Sequence, residues 1–260
     1  MLKKLAAFAL AAAVGASSFA TVARAADEPA RIAPKINLPK PDADGFISLF
    51  NGKDLAGWSG LPDFWSVKDG CITAKEEKAK SKQTFLILTA MRVSDFELHY
   101  KYKFVTAEGN SGVQFRSKVM DPNKDPFRVG GYQADCDAGN GYTGIIYDEA
   151  GGAGGRQIMS KRGEKTHWDA ENKRSNEKLA KSDEELKKEI KPVGEWNDCV
   201  LIAKGNHITY SINGNVTTEV IDESPKAVKE GILALQCHAG FTMEIQFKDI
   251  KIKPLGDEKK

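Results

Sequence analysis

Three short runs of this 260-residue chain place polar side chains that could do chemistry at alternate positions. Gln114 and Arg116 alternate with Val113 and Phe115. Gln133 and Asp135 share a side, with Cys136 on the reverse, and Gln236 and His238 alternate with Leu235 and Cys237. Residues two apart on a strand point the same way, so six polar side chains line one groove if the runs belong to one sheet. Planar amides, a guanidinium and a carboxylate suit paired hydrogen bonds to hydroxyl and carbonyl oxygens. The competing reading is an ordinary solvated sheet face. Glu149, in Tyr147-Asp148-Glu149, is a second candidate carboxylate, with Asp148 read as a turn or cap residue. His238 can give or take a proton near neutral pH. Tyr147 and Trp196 either stack on a ring-shaped ligand or fill the edge of a core. Asn110-Ser111-Gly112 is a tight turn leading into a strand, and its side chains can reach a ligand. Gly151-Gly152-Ala153-Gly154-Gly155 lacks the Gly-Lys-Ser/Thr ending of a phosphate loop and is expected to be a mobile flap beside Glu149. No Gly-x-Ser-x-Gly or His-Glu-x-x-His motif occurs.

The elements that must position these residues are strands. In Phe96–Phe104 (FELHYKYKF) five aromatic or aliphatic residues alternate with Glu97, His99, Lys101 and Lys103, giving one buried and one wet face. Ser111–Ser117 and Gly231–His238 alternate in the same way. Around Asn213-Gly214, a three-residue loop would align Ile208, Tyr210 and Ile212 with Val220, Thr218 and Val216, with Asn215 left-handed. The apolar phase shifts between Phe247 and Ile250, which predicts a bulge at Lys248-Asp249. A single helix is expected within Asn176–Ile190, where Ser182 and Glu185 form a capping box. It belongs to a polar insertion, 162–192, read as surface decoration. Many short strands and one helix predict an all-β sandwich of two antiparallel sheets.

Residues 1–25 read as a cleaved export signal. Lys3 and Lys4 precede an apolar run from Leu5 to Phe19, and Ala23-Arg24-Ala25 supplies small residues for cleavage after Ala25. The chain is therefore expected to be secreted or periplasmic, with no membrane span after cleavage. Residues 26–44, with four prolines, read as a tether, 45–256 as the folded domain, and 257–260 as a charged tail. Without Lys3, Lys4 and Arg24, 35 basic residues face 36 acidic ones, a formal charge of −1. That balance offers no footprint for nucleic acid. Cys71, Cys136, Cys199 and Cys237 are either disulfide partners or small buried hydrophobes. Their spacing is not that of a zinc site, and neither metal nor cofactor is expected.

Gly45-Phe46-Ile47-Ser48-Leu49-Phe50-Asn51-Gly52-Lys53-Asp54-Leu55-Ala56-Gly57-Trp58 opens a longer series of motifs. Trp65–Gly70, Asp95–Leu98, Asn110–Val113, Gly131–Asp135, Thr143-Gly144 with Tyr147, Gly194–Asn197, Asn213-Gly214 and Gly231–His238 follow in order. The series resembles the DUF1080 family of 3-keto-disaccharide hydrolases and 3-keto-glucoside 1,2-lyases over roughly residues 45–254. The resemblance implies a concanavalin A-like jelly roll with a sugar site on its concave sheet. It implies a glycoside hydrolase or lyase whose substrate is a glycoside oxidised at C3, where the ketone acidifies the C2 proton and permits elimination. Such a site needs a base, an acid and a donor to the enolate. On that reading Asp135 is the first candidate base, Glu149 the second and His238 the third. Arg116 would hold the ketone, with Asn110, Gln114, Gln133, Tyr147, Trp196 and Gln236 binding substrate. Gln133 and Asp135 stand where many members carry Glu and Gln. A non-catalytic carbohydrate-binding module or lectin-like domain on the same fold is the competing function.

Overall fold

In Phe96–Phe104 the alternation is realised residue for residue: Phe96, Leu98, Tyr100, Tyr102 and Phe104 are buried and those between are half-buried. The computed structural model, which describes residues 37–256, sets this strand in the larger of two sheets. In chain order the strands are β1 (Ile47–Ser48), β2 (Trp58–Ser59), β3 (Trp65–Lys68), β4 (Cys71–Glu76), β5 (Thr84–Leu88), β6 (Phe96–Phe104), β7 (Asn110–Asp121), β8 (Asp125–Asp137), β9 (Ile146–Glu149), β10 (Ile158–Ser160), β11 (Glu164–Trp168), β12 (Arg174–Lys178), β13 (Asn197–Lys204), β14 (His207–Ile212), β15 (Asn215–Asp222), β16 (Ile232–Cys237) and β17 (Met243–Pro254). The ten-stranded sheet runs β12-β11-β15-β14-β13-β6-β17-β4-β3, with β1 on β17; the seven-stranded sheet runs β10-β9-β8-β7-β16-β5-β2. Leu98, Leu201 and Phe247 from the first sheet meet Val113, Phe115 and Leu235 from the second in one core. This is the expected all-β jelly-roll sandwich.

Four local expectations change. The sheets are not wholly antiparallel, because β11 runs parallel to β15. The insertion contributes two strands, β11 and β12, to the sheet edge as well as a helix, α1 (Asp183–Glu189). Ser182 caps α1 through both bonds of the predicted box, but residues 174–178 pair with β11 instead of extending the helix. The Asn213-Gly214 turn is a two-residue one, with both residues left-handed (φ 50° and 79°) and Ile212 paired with Asn215. A bulge between Tyr210 and Ser211 restores Tyr210 opposite Thr218 and Ile208 opposite Val220. The core demand is thus met by a bulge, not by a longer loop.

The predicted bulge at Lys248-Asp249 is present, with Asp249 at φ 51° and a register shift between Lys248 and Lys251. All four cysteines are free and buried. The export signal, residues 26–36 of the tether and the tail 257–260 lie outside the described residues. Within the tether, Leu38 packs on the core, and the Asp42 carboxylate accepts from the Phe46 backbone N–H at 2.8 Å. No helix among the described residues is long and apolar enough to cross a membrane.

Candidate active site

The seven-stranded sheet turns one face to the core and the other to a cavity. Tyr132, Ala134 and Ile146 belong to the core, so Gln133 and Asp135 of β8, with Tyr147 and Glu149 of β9, must face outward. Register sets Gln133 beside Tyr147 and Gly131 beside Glu149. On the other side of β8, Gln133 pairs with Gln114 of β7. Gly112 is required here, since a Cβ would come 2.6 Å from Gln133 Cγ. At the tip of the β7–β8 hairpin, Phe127 and Val129 pack on Phe85, Ile87 and Ala234. The hairpin therefore curls over β5, a strand two places away in the sheet, and Arg128 is brought to the cavity wall.

The cavity holds about 700 Å³ and is lined by Asn110, Arg128, Gln133, Asp135, Asp137, Tyr142, Tyr147, Glu149, His238 and Phe241, among others. Six residues singled out from the sequence are thus brought together: Asn110, Gln133, Asp135, Tyr147, Glu149 and His238. Gln114 and Gln236 lie beneath them, wholly buried. Arg116 and Trp196 are elsewhere.

Arg116 leaves the groove because the alternation breaks at that residue. Phe115 pairs with Tyr132 and Lys118 with Gly130, so Arg116 and Ser117 together face Gly131, and Arg116 takes φ 47°. Its guanidinium donates to the Ser94 and Gly205 carbonyls and to Asp95 Oδ1, each at 2.7 Å. Arg116→Ala would strip three partners of a buried cation. We expect a loss of about 3 kcal/mol in stability, measured by urea unfolding, with turnover per folded molecule preserved. Trp196 lies on the outer face of the ten-stranded sheet between Lys103 and Lys248.

Below the cavity the buried amides form a chain. Ser117 Oγ donates to Gln114 Oε1 at 2.8 Å, and Gln114 Nε2 donates to Gln133 Oε1. Gln133 Nε2 donates to Gln236 Oε1 at 3.1 Å, and Gln236 Nε2 to Glu149 Oε2 at 3.2 Å. Every N–H in the chain points toward Glu149, and aligned bonds of this kind reinforce one another. The other oxygen of Glu149 accepts from Gln83 Nε2 at 2.7 Å and lies 3.5 Å from the Arg128 guanidinium. Glu149 is thus surrounded by hydrogen-bond donors.

Asp135 has the opposite setting. It is 4 % exposed, and its carboxyl accepts one side-chain bond, from Asn110 Nδ2 at 3.3 Å. Burial, then the charges of Asp137 and Glu149, push its pKa well above the usual carboxylate range. Two carboxyls at one site with opposed surroundings divide naturally into acid and base. Asp137 has a supporting role, accepting the backbone N–H groups of Gly141, Tyr142 and Thr143. Arg162, at the start of the insertion, holds the same loop by donating to Asn140 Oδ1 at 2.9 Å and bridging to Asp183 at 2.7 Å. His238 Nδ1 lies 2.7 Å from the Ala239 carbonyl, which can only accept. The ring therefore donates from Nδ1, and the neutral imidazole keeps its lone pair at Nε2.

The glycine-rich segment is a staple, not a flap. Asp148 takes the N–H groups of Ala153 and Arg156 at 2.7 and 2.8 Å, as a cap does. Ala153 is 1 % exposed, and any side chain at Gly152 would overlap the backbone of Gly130. The turn fixes the end of β9 and with it Glu149. Arg128, Gln83, Tyr142 and Phe241 were not singled out from sequence. Arg128 alone carried a signal, since Phe127-Arg128-Val129 alternates.

Known proteins share this arrangement of chain. A curated 3-keto-disaccharide hydrolase of Bacteroides thetaiotaomicron is 26 % identical over 82 % of this chain and 80 % of its own length. A solved structure of a candidate glycosyl hydrolase from Parabacteroides distasonis superposes with a TM-score of 0.53 at 21 % identity, covering 82 % of this chain and 95 % of that one. The carbohydrate-binding module CBM66 of Bacillus subtilis shares the fold with a TM-score of 0.51 at 14 % identity, over 78 % of this chain and 99 % of its own. Residues 45–253 match the model of the 3-keto-alpha-glucoside-1,2-lyase-like domain, and the chain belongs to that family.

Proposed function

We propose that this domain cleaves 3-keto-glycosides, with Glu149 as the base and Asp135 as the acid. The observation that carries the reading is the pairing of two carboxyls in opposed surroundings on one cavity wall, with Arg128 beside one of them. The activity named for the Bacteroides thetaiotaomicron relative extends to this chain on that basis.

A ketone at C3 makes the C2 hydrogen acidic. Glu149 takes that proton, the C2–H electron pair becomes the C1=C2 double bond, and the C1–O bond breaks. Asp135 gives its proton to the departing oxygen, so the products are a free alcohol and an unsaturated keto-sugar. The C3 oxygen is attached to the carbon next to C2, so its stabiliser must sit beside the base. Arg128, 3.5 Å from Glu149, has that position. It takes the role that the sequence suggested for Arg116. Hydration then runs the two groups in reverse: Asp135, now a carboxylate, draws a proton from water as its oxygen bonds to C1, and Glu149 returns a proton to C2. The net change is hydrolysis. Tyr142, Tyr147 and Phe241 offer flat apolar surface for a pyranose ring, and His238 Nε2 accepts from a sugar hydroxyl. The export signal at residues 1–25 would place this reaction outside the cytoplasm.

Incubation with 3-keto-trehalose and with trehalose tests the substrate class. Only the oxidised sugar should be turned over, because only its C2 proton is acidified. Equal turnover of both would overturn the elimination route.

A further inference from the structure

The outer face of the ten-stranded sheet, across the sandwich from the site above, holds a second cavity of about 480 Å³. Phe50–Gly52, the Asp69-Gly70 turn, Trp196, Gln246 and Lys248 border it, and none of its lining residues belongs to the catalytic cavity. Register explains how it is assembled. Lys103 of β6 pairs with Gln246 of β17, and Asn197 pairs with Tyr102, which brings Trp196 alongside Lys103.

Three features of this cavity are unspent. The Lys103 and Lys248 ammonium groups lie 4.8 and 4.2 Å from the centre of the Trp196 ring. Neither makes an ion pair among the described residues, although the nearby Lys68 bridges Glu244 at 2.8 Å and Lys101 bridges Asp198 at 3.1 Å. Gln246 is 4 % exposed, yet its carboxamide makes no hydrogen bond among the described residues and borders the cavity. The polar atoms of this amide still open onto the cavity, so they are free to pair with what enters it.

We propose that this cavity is a second, non-catalytic binding site for an acidic saccharide, a hydroxyl-rich ring that bears one carboxylate. The carboxylate meets two ammonium groups that lack a counter-ion. A neighbouring hydroxyl meets the Gln246 amide, which both donates and accepts. Drawing a lysine away from the indole uncovers ring surface for the C–H face of the sugar. Asp69 and Asp249 on the rim accept hydroxyls and repel denser negative charge, so the site suits one carboxylate per ring and not a heavily sulfated polyanion.

Calorimetric titration of the full chain with trigalacturonate, maltotriose and inorganic sulfate decides the matter. Trigalacturonate should bind, should weaken as salt rises, and should lose about tenfold in affinity in Lys248→Ala, the scale of one charge-assisted bond. Trp196→Ala should lose at least as much, and circular dichroism should show both variants folded. Gln246→Leu provides a second variant should Trp196→Ala fail to fold. Failure of trigalacturonate to bind overturns the proposal. So does equal binding of maltotriose, which would make the site one for neutral sugars, or of sulfate, which would make it a simple anion site. Binding that survives all three substitutions also overturns it, since the ligand would then be held elsewhere.

Discussion

Glu149→Gln should lower turnover of a 3-keto-glycoside by about 10³-fold, within the range typical for loss of a positioned base. The amide keeps the size of the side chain and cannot take a proton from C2. Its surroundings sharpen the expectation. Gln83, Gln236 and Arg128 all present N–H groups to the present carboxylate, so the new NH₂ must face a donor. We therefore also expect a stability loss of about 1–2 kcal/mol, visible in urea unfolding. A folded Glu149→Gln variant with near-normal turnover would take the base away from this residue and return it to Asp135 or His238.

Asp135→Asn is the second large effect, and its signature is in pH and leaving group. Asp135 must be protonated to act as the acid, and its raised pKa keeps it so above the usual carboxylate range. Turnover by the unaltered protein should fall on the alkaline side as Asp135 ionises. In Asp135→Asn that alkaline limb should vanish, and turnover of 3-keto-trehalose should drop by about 10²-fold. A 3-keto-glucoside with a p-nitrophenolate leaving group should lose far less, because that oxygen departs without a proton. The same shift has a stability consequence. The folded-state pKa lies above the unfolded one, so the contribution of Asp135 is full below the ordinary carboxylate pKa. It is lost as pH rises through the raised value. Asp135→Asn should therefore flatten the decline of melting temperature with rising pH. Equal rate losses for both leaving groups would remove Asp135 from the acid role.

The strand faces were legible in the sequence, and they carried most of the site. Period-two alternation placed Gln133 with Asp135, and Gln114 and Gln236 on the same side. It failed at Arg116, because a bulge residue with φ 47° breaks the alternation, and nothing in Gln114-Phe115-Arg116-Ser117 marks a bulge. The Asn213 turn erred for a related reason. The core register holds at Ile208–Val220 and Tyr210–Thr218 through a bulge in the strands and not a longer loop, while Val216 pairs with Ser211 and Ile212 with Asn215. The indole of Trp196 suits ring stacking and lies in the Gly194–Asn197 motif, but neither fact says which sheet the residue faces. Arg128 reaches the cavity only because the hairpin tip curls over β5, a tertiary event no local pattern records. The division between Asp135 and Glu149 depends on burial and on a chain of buried amides spanning β7, β8, β16 and β9. Of these strands β16 is remote in sequence from the other three, so the sequence could name both carboxyls but could not tell their surroundings apart.

Breaking of the C2–H bond is the central claim, and solvent deuterium reads it directly. A 3-keto-disaccharide cleaved in D₂O, with the product examined by NMR before uncatalysed exchange sets in, should give a 3-keto-sugar carrying deuterium at C2 at a rate matching cleavage. A product formed at full rate with its C2 hydrogen retained, and no slowing of cleavage when the substrate carries deuterium at C2, would mean direct displacement at C1 and would contradict proton abstraction by Glu149.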